Sequence, residues 1–337
     1  MIGPMSPAAG VPPPGAAGRR LVLRWGGLLL AAAGTAALAG CSIRLEDDAP
    51  SLPPLQRTLI PDEKALIAGF HRATTLAQIA GRVPGAPALV TQLRGIHETQ
   101  AKVLHGVLDR GGVPDHIIES AVPTGTTTSA APATPTAAVS APPAASVALL
   151  ASAEATAVTP HSLAVLAGAT TANRTVMSAI AAQQACAAGL LGGSVAWPAA
   201  DPLPATPAAG LLDATRSVAY AFEVVAAQLG ADARPPALAT LTALRSREAA
   251  ERTMAGSSAA PEPLGYTLPF AVTTPELARR LAGVVLSQLV ARGLDPVASL
   301  PAASTAVATV VRLQAEAQLL AHDWGVDMVP FPGMAYP

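Results

Sequence analysis

Apolar residues recur at three- and four-residue steps over most of the chain beyond residue 60, the period of helices buried along one face. Leu66, Phe70, Ala73, Leu76 and Ala80 predict a helix from about Pro61 to Ile79. Pro61 suits its first turn, and Asp62 and Glu63 complement the positive end of its dipole. A second helix is predicted from Ala86 to Arg110, with Leu89, Leu93, Ile96, Val103, Leu104 and Val107 on its apolar side and "GGVP" as its stop. A third spans Val147 to Leu166, bent at Pro160, and a fourth runs from Thr170 to Leu191. Four more follow: Pro207–Leu229, Ala237–Met254, a helix opened by Thr273 and Glu276 at capping-box spacing and closed by Gly293, and Pro301–Trp324.

The connections give these helices an order. "GRVPGA" and "GADARPP" are short turns, which force antiparallel neighbours. Residues 121–146 carry no charge and no aromatic residue but many Pro, Thr and Ala. Such a segment buries too little surface to offset its ordering entropy and is expected to be disordered. "GSSAAPEPLGYTLPFAVT" is a second long connection. Each half therefore reads helix, short turn, helix, long connection, helix, short turn, helix. One long crossover between the second and third helices is the connectivity of ferritin-like bundles. The expected fold is all-α, with two such four-helix bundles in tandem. Residues 59–195 form the first, interrupted by 121–146; 196–206 form a linker; 207–337 form the second.

The N-terminus departs from this pattern. Arg19, Arg20 and Arg24 precede an apolar run from Trp25 to Leu38, which Gly26, Gly27 and Gly34 interrupt. The run is shorter than the ~20 apolar residues a spanning helix needs, and it has the layout of a signal peptide. "LAGC" (Leu38 to Cys41) resembles the lipobox of bacterial lipoproteins. That resemblance implies cleavage between Gly40 and Cys41, acylation of Cys41, and attachment to the outer face of the cell membrane. "GRRLVLR" also resembles the twin-arginine export signal, with Arg19 and Arg20 as the pair and Val22 in place of the usual phenylalanine. Residues 1–40 thus read as signal peptide and 41–58 as a polar, proline-bearing tether.

Composition narrows the partners. Without the three arginines of residues 1–40, the net charge of −1 becomes −4. There is no Lys/Arg block, so neither nucleic acid nor an anionic membrane surface is an expected electrostatic partner. The anchor must be the lipid, and several acyl chains hold where one holds marginally. With Cys41 acylated, Cys186 has no intramolecular partner; its apolar, helical surroundings "AIAAQQACAAGLL" predict a buried thiol.

The C-terminal half resembles a ferritin-like family of unknown function found in exported lipoproteins of high-GC Gram-positive bacteria. The residues that carry the match are "SVAYAF" (217–222), "YTLPFAV" (266–272), "ELARRLAGVV" (276–285) and "HDWGVDMVPFPG" (322–333). The match covers about 211–333; residues 61–193 agree only in helix layout. Ferritin-like di-metal sites take a Glu from each of two helices and a Glu-x-x-His from each of the other two. No Glu-x-x-His is present. Glu98-Thr99-Gln100-Ala101 has alanine at the imidazole position, and Gln183-Gln184-Ala185-Cys186 has an amide and a thiol at the two ligand positions. His71 and Glu154 fall where lone ligands would sit, so His71, Glu98, Glu154 and Cys186 read as vestiges of a site. Where the family segment often carries Glu-His, this chain has Thr215-Arg216.

Plainer roles compete for the same residues. His97 and His105 are expected to face solvent beside Glu98 and Lys102, themselves an i, i+4 pair, and His322 to sit in a final helical turn. There is no Ser-His-Asp order, glycine-rich phosphate loop or paired-cysteine zinc spacing, so no cofactor and no catalytic residue is expected. The expected function is binding or scaffolding of an unknown protein or an apolar ligand, for which alanine-faced helices leave room. The alternative is a metal-dependent oxidase or iron-handling protein with unorthodox ligands. Limited proteolysis should cut within 121–146 while both helical halves persist, because exposed unstructured backbone is the preferred nicking site; protection of this stretch would show that it packs.

Overall fold

The structure, a computed structural model, describes residues 57–120 and 144–334. The signal peptide, Cys41, most of the tether and residues 121–143 lie outside them. Among the described residues every regular element is helical, and they belong to one compact unit. The α-helices are α1 (Glu63–Gly81), α2 (Ala88–Arg110), α3 (Asp115–Ser120), α4 (Val147–Ala155), α5 (Pro160–Gly168), α6 (Thr171–Leu190), α7 (Ala205–Gln228), α8 (Arg234–Ala255), α9 (Pro275–Arg292) and α10 (Ala306–Asp323). Of these, α1, α2 and α6 to α10 start and stop within a few residues of their predicted bounds.

Several differences have local causes. The helix expected to bend at Pro160 breaks in two. The residue before a proline is pushed out of the helical region, and Thr159 is extended at φ −113 and ψ 162. Thr159 then caps α5 in a reciprocal box with Ser162, each side chain meeting the other residue's backbone N–H. The cap of α9 is Thr274 rather than Thr273; its hydroxyl accepts from the Leu277 N–H at 3.3 Å. The last helix starts at Ala306, because a 3-10 turn (Asp295–Ser299) and Ala303 at φ 59 occupy the approach. The end of the stretch expected to be disordered is placed: Ala145 is buried, its N–H donates to the Arg82 carbonyl, and Ser146 caps α4.

Packing follows connectivity. α1 pairs with α2, α4 with α6 and α1, α7 with α8 and α9, and α9 with α10. α6 also lies along α10, and one apolar cluster draws Leu66, Leu104 and Ile118 together with Leu211, Val310 and Phe331. α6 has neighbours on several sides, and every residue from Ser178 to Ala188 is buried. A helix buried all round needs no polar face. α9 with the turn after it is long and apolar enough to cross a membrane by length and composition, yet half of that stretch is buried inside the fold.

The start of α1 is tied to the start of α6 through one carboxylate. Asp62 Oδ2 accepts from the Thr170 N–H (2.9 Å), the Thr170 hydroxyl (2.6 Å) and the Asn173 amide (2.9 Å). Asp62 sits at φ 60, a left-handed conformation that Asp tolerates better than most residues. Its pKa lies below the ordinary value: desolvation pushes it up, and the bonds from Thr170 and Asn173 outweigh that. The stability it contributes is therefore present above the ordinary aspartate pKa of 3.8 and is lost as pH falls through the lower folded value. Asp62→Ala should cost about 2 kcal/mol at neutral pH, from hydrogen bonds to a charged acceptor. Urea denaturation at pH 7 and at low pH checks this, with the difference from wild type shrinking in acid.

Candidate functional site

A chain of polar side chains crosses the N-terminal half where the helices meet. The buried ladder of α2 runs Val90, Leu93, Ile96 and His97, Gln100, Leu104, Leu108. Its phase carries His97 and Gln100 inward and Glu98 and Lys102 outward. Among described residues His97 and Glu154 are both 0% exposed, and His97 Nε2 lies 2.6 Å from Glu154 Oε1 on α4. On its other side His97 Nδ1 is 3.0 Å from Gln100 Oε1.

Donor and acceptor roles along this chain are fixed by its ends. The Pro330 carbonyl can only accept, and Gln100 Nε2 donates to it at 2.8 Å and to Gln183 Oε1 at 2.9 Å. The oxygen of the Gln100 amide therefore faces His97, so His97 Nδ1 carries a proton. One further proton lies between Nε2 and Glu154, which makes the pair either imidazolium and carboxylate or imidazole and carboxylic acid. Burial pushes the Glu154 carboxyl above the ordinary glutamate range, opposed by His97 and the Arg72 guanidinium. Glu154 Oε2 and Gln183 Nε2 are buried with no hydrogen-bond partner.

The sequence-derived candidates are only partly brought together. Glu154 is central and engages His97, which had been expected at the surface. Glu98 is exposed and pairs with Arg94 at 2.8 Å, not with Lys102. His71 is half-buried, packs edge-on against Phe70 and has no partner for its Nε2. Cys186 is fully buried in the cluster of Leu76, Leu93 and Leu150. Desolvation, with Asp323 and Glu154 adding to it, pushes its thiol up to about 12, so it is an inert core residue. His105 is partly exposed, 3.6 Å from Asp115, and His322 does lie in the last turn of α10. Among the described residues no three His, Cys, Asp or Glu side chains converge as metal ligands. A carboxylate-bridged two-metal centre needs several oxygen and nitrogen donors on one point, and this donor set does not fit one.

The C-terminal half has its own buried polar centre, built on arginine. Arg247 Nε donates to Glu251 at 2.8 Å and its Nη1 to the Leu313 carbonyl at 2.6 Å. Arg216 Nε lies 3.5 Å from Glu248, and its Nη1 donates to the Ala260 carbonyl at 2.8 Å. Glu248 is clamped from outside by Arg245 (2.7 Å) and Arg252 (2.5 Å). Burial pushes the Glu251 carboxyl upward, with Arg247 opposing it. Thr215 and Arg216, the positions read against a Glu-His pair, are both buried in this centre.

The inward set His97, Gln100 and Gln183 was missed as a unit, although the spacing of Leu93, His97, Gln100 and Leu104 along α2 carried the signal. The chain matches no protein-family model, no curated protein and no solved structure.

Leaving a buried polar group unsatisfied costs about 1–3 kcal/mol, so His97→Ala, which strands Glu154 Oε1 and Gln100 Oε1, should destabilise on that scale. Glu154→Gln keeps a hydrogen-bonding side chain and should cost about 1 kcal/mol or less. With a raised folded pKa, the stability linked to Glu154 is full below its unfolded value near 4.5 and declines as pH rises toward the folded value. Glu154→Gln should flatten that decline, which urea melts across the pH range will read.

Proposed function

We propose that this chain is an exported lipoprotein, held at the outer face of the cell membrane by acylated Cys41, whose helices form two degenerate ferritin-like bundles that bind rather than catalyse. The observation that supports this reading is how the buried polar centres are occupied. In the N-terminal half His97, Glu154, Gln100 and Gln183 mostly engage one another. In the C-terminal half Arg216 and Arg247 engage Glu248 and Glu251. A metal centre would need those carboxylates and imidazoles free and converging, and the arginines beside Glu248 and Glu251 supply the positive charge an ion would bring.

The resemblance of residues 211–333 to ferritin-like exported proteins supports the same reading, as does the lipobox at 38–41. Two measurements test it. Cys41→Ser should release the protein from the membrane fraction or leave it unprocessed; a variant that fractionates and migrates like wild type removes the anchor from the proposal. Protein purified without chelator should hold far less than one iron or manganese per chain. Stoichiometric metal that is lost on Glu154→Ala would instead establish a metal-dependent oxidase or iron-handling protein.

A further inference from the structure

The break at Pro160 leaves a cleft of about 180 Å³ between α1, α5 and α6. Its walls are stripes one helical face wide. α1 presents Ala65, Ala68, Gly69 and Arg72; α6 presents Met177, Ile180, Ala181 and Gln184. Leu163 and Leu166 close it from α5, and Leu104 from α2. Most of the lining is aliphatic, and the polar exceptions gather at one level.

The level follows from the fold. α1 and α6 start side by side at Asp62, Thr170 and Asn173. They run the same way, because Ala145, at the start of α4, bonds Arg82 past the end of α1, and Gly193, past the end of α6, sits against Ala151 of α4. At 1.5 Å per residue, Arg72 lies about 15 Å above Asp62 and Gln184 about 16 Å above Asn173. α5 descends toward the shared start, which puts His161 at its upper end, nearer that level than Leu166. Arg72, Gln184 and His161 therefore share the upper end of the cleft. Leu66, Leu166 and Met177 line the lower part.

Two of these groups lack partners. Gln184 is 2% exposed, and its Nε2 has no hydrogen-bond partner. The half-buried Arg72 guanidinium forms no hydrogen bond or ion pair; only the field of Glu154 acts on it, and burial pushes its pKa down. Glu154 itself is engaged by His97 and makes no hydrogen bond to Arg72. The Arg72 fork can only donate and still reaches water, whereas Gln184 Nε2 is a buried donor with no acceptor to meet it; an acceptor with one negative charge entering the cleft would engage both. The size is that of a small apolar body: a dry cavity of about 150 Å³ holds benzene.

We propose that this cleft binds a small amphiphilic carboxylate of about six to eight carbons, with the carboxylate on Arg72 and Gln184 and the apolar body against Leu66, Leu163 and Met177. The inference gives the binding reading above a ligand class and rests on that reading.

The probe is sodium octanoate, titrated calorimetrically into the full chain carrying Cys41→Ser, with 1-octanol and acetate as comparisons. Octanoate should bind once per chain, at least about tenfold more tightly than octanol, since a hydrogen bond to a charged group is worth about 1.5–3 kcal/mol; acetate should not bind measurably. Arg72→Gln should lower octanoate affinity at least about tenfold, to that of octanol, without changing octanol. Arg72→Lys, which keeps the charge but loses the fork, should fall between, and Ala181→Phe should fill the cleft and remove both ligands. Thermal melts establish that each variant is folded. Equal affinity for octanoate and octanol, an Arg72→Gln variant that binds octanoate like wild type, or no saturable octanoate binding would overturn the assignment. Those failures leave the anchoring and metal measurements untouched, so loss of the cleft is distinguishable from loss of the binding reading.

Discussion

The carbonyl of Pro330 fixes the polarity of the N-terminal half. A buried donor or acceptor left alone costs about 1–3 kcal/mol, so polar groups placed in a core must find one another in a definite order. Here the carbonyl orients Gln100, Gln100 orients His97, and His97 meets Glu154. The same amide reaches Gln183 on α6. Three helices and the segment after α10 thus share one hydrogen-bond chain, which ties Pro330 to α2. Arg174 acts similarly at the other end of α6: 3% exposed, its guanidinium donates to the carbonyls of Ala169, Leu300 and Pro301. Both halves are held by carbonyls that cannot change role.

Such ties matter more here than in a core rich in large side chains. Aromatic residues make up 3% of the sequence, and much of α6 is alanine. Small side chains allow close helix approach but carry little shape information, and cores with loose complementarity lose uniqueness before they lose stability. Buried polar pairs contribute little net stability, but one that is satisfied in a single arrangement disfavours alternatives. The two centres solve this differently. The imidazole and carboxyl of the first share one proton. The second spends two guanidinium groups, each of which also reaches a backbone carbonyl.

The periodicity of apolar residues was enough to read the long helices, because each buries one stripe and ends at Gly or Pro. It failed where tertiary contacts overrode it. Thr273 and Glu276 had the spacing of a capping box, but Thr274 precedes Pro275 and takes the extended conformation a cap requires. α3 was invisible, being six residues with Ile118 as its only buried side chain. The candidate site was half legible. Glu98, the carboxylate of α2 nearest to the Glu-x-x-His pattern, lies on the outer face with Arg94, Gly95 and Lys102 exposed around it. Reading outward from Leu93 and Leu104 instead places His97 and Gln100 on the inner face. The partner of His97 lies 57 residues away on α4, and no local pattern specifies that pairing.

The cleft has the same origin as the one helix that departed most from expectation. An unbroken helix from Val147 to Gly168 would lie along α6 for its whole length, as α4 does. Pro160 forces Thr159 to be extended, and the chain restarts as α5. α5 packs less extensively on α6 than α4 does, and Val165 is 40% exposed. The room so opened faces two residues, Arg72 and Gln184, that a closed bundle would have to pair or exclude. A purely structural core gains nothing from the buried, unpaired amide nitrogen of Gln184, since a methionine of similar volume would remove its desolvation cost. The presence of Arg72 and Gln184 at one level, above an aliphatic floor, is the arrangement of a site shaped for a ligand with one charged end.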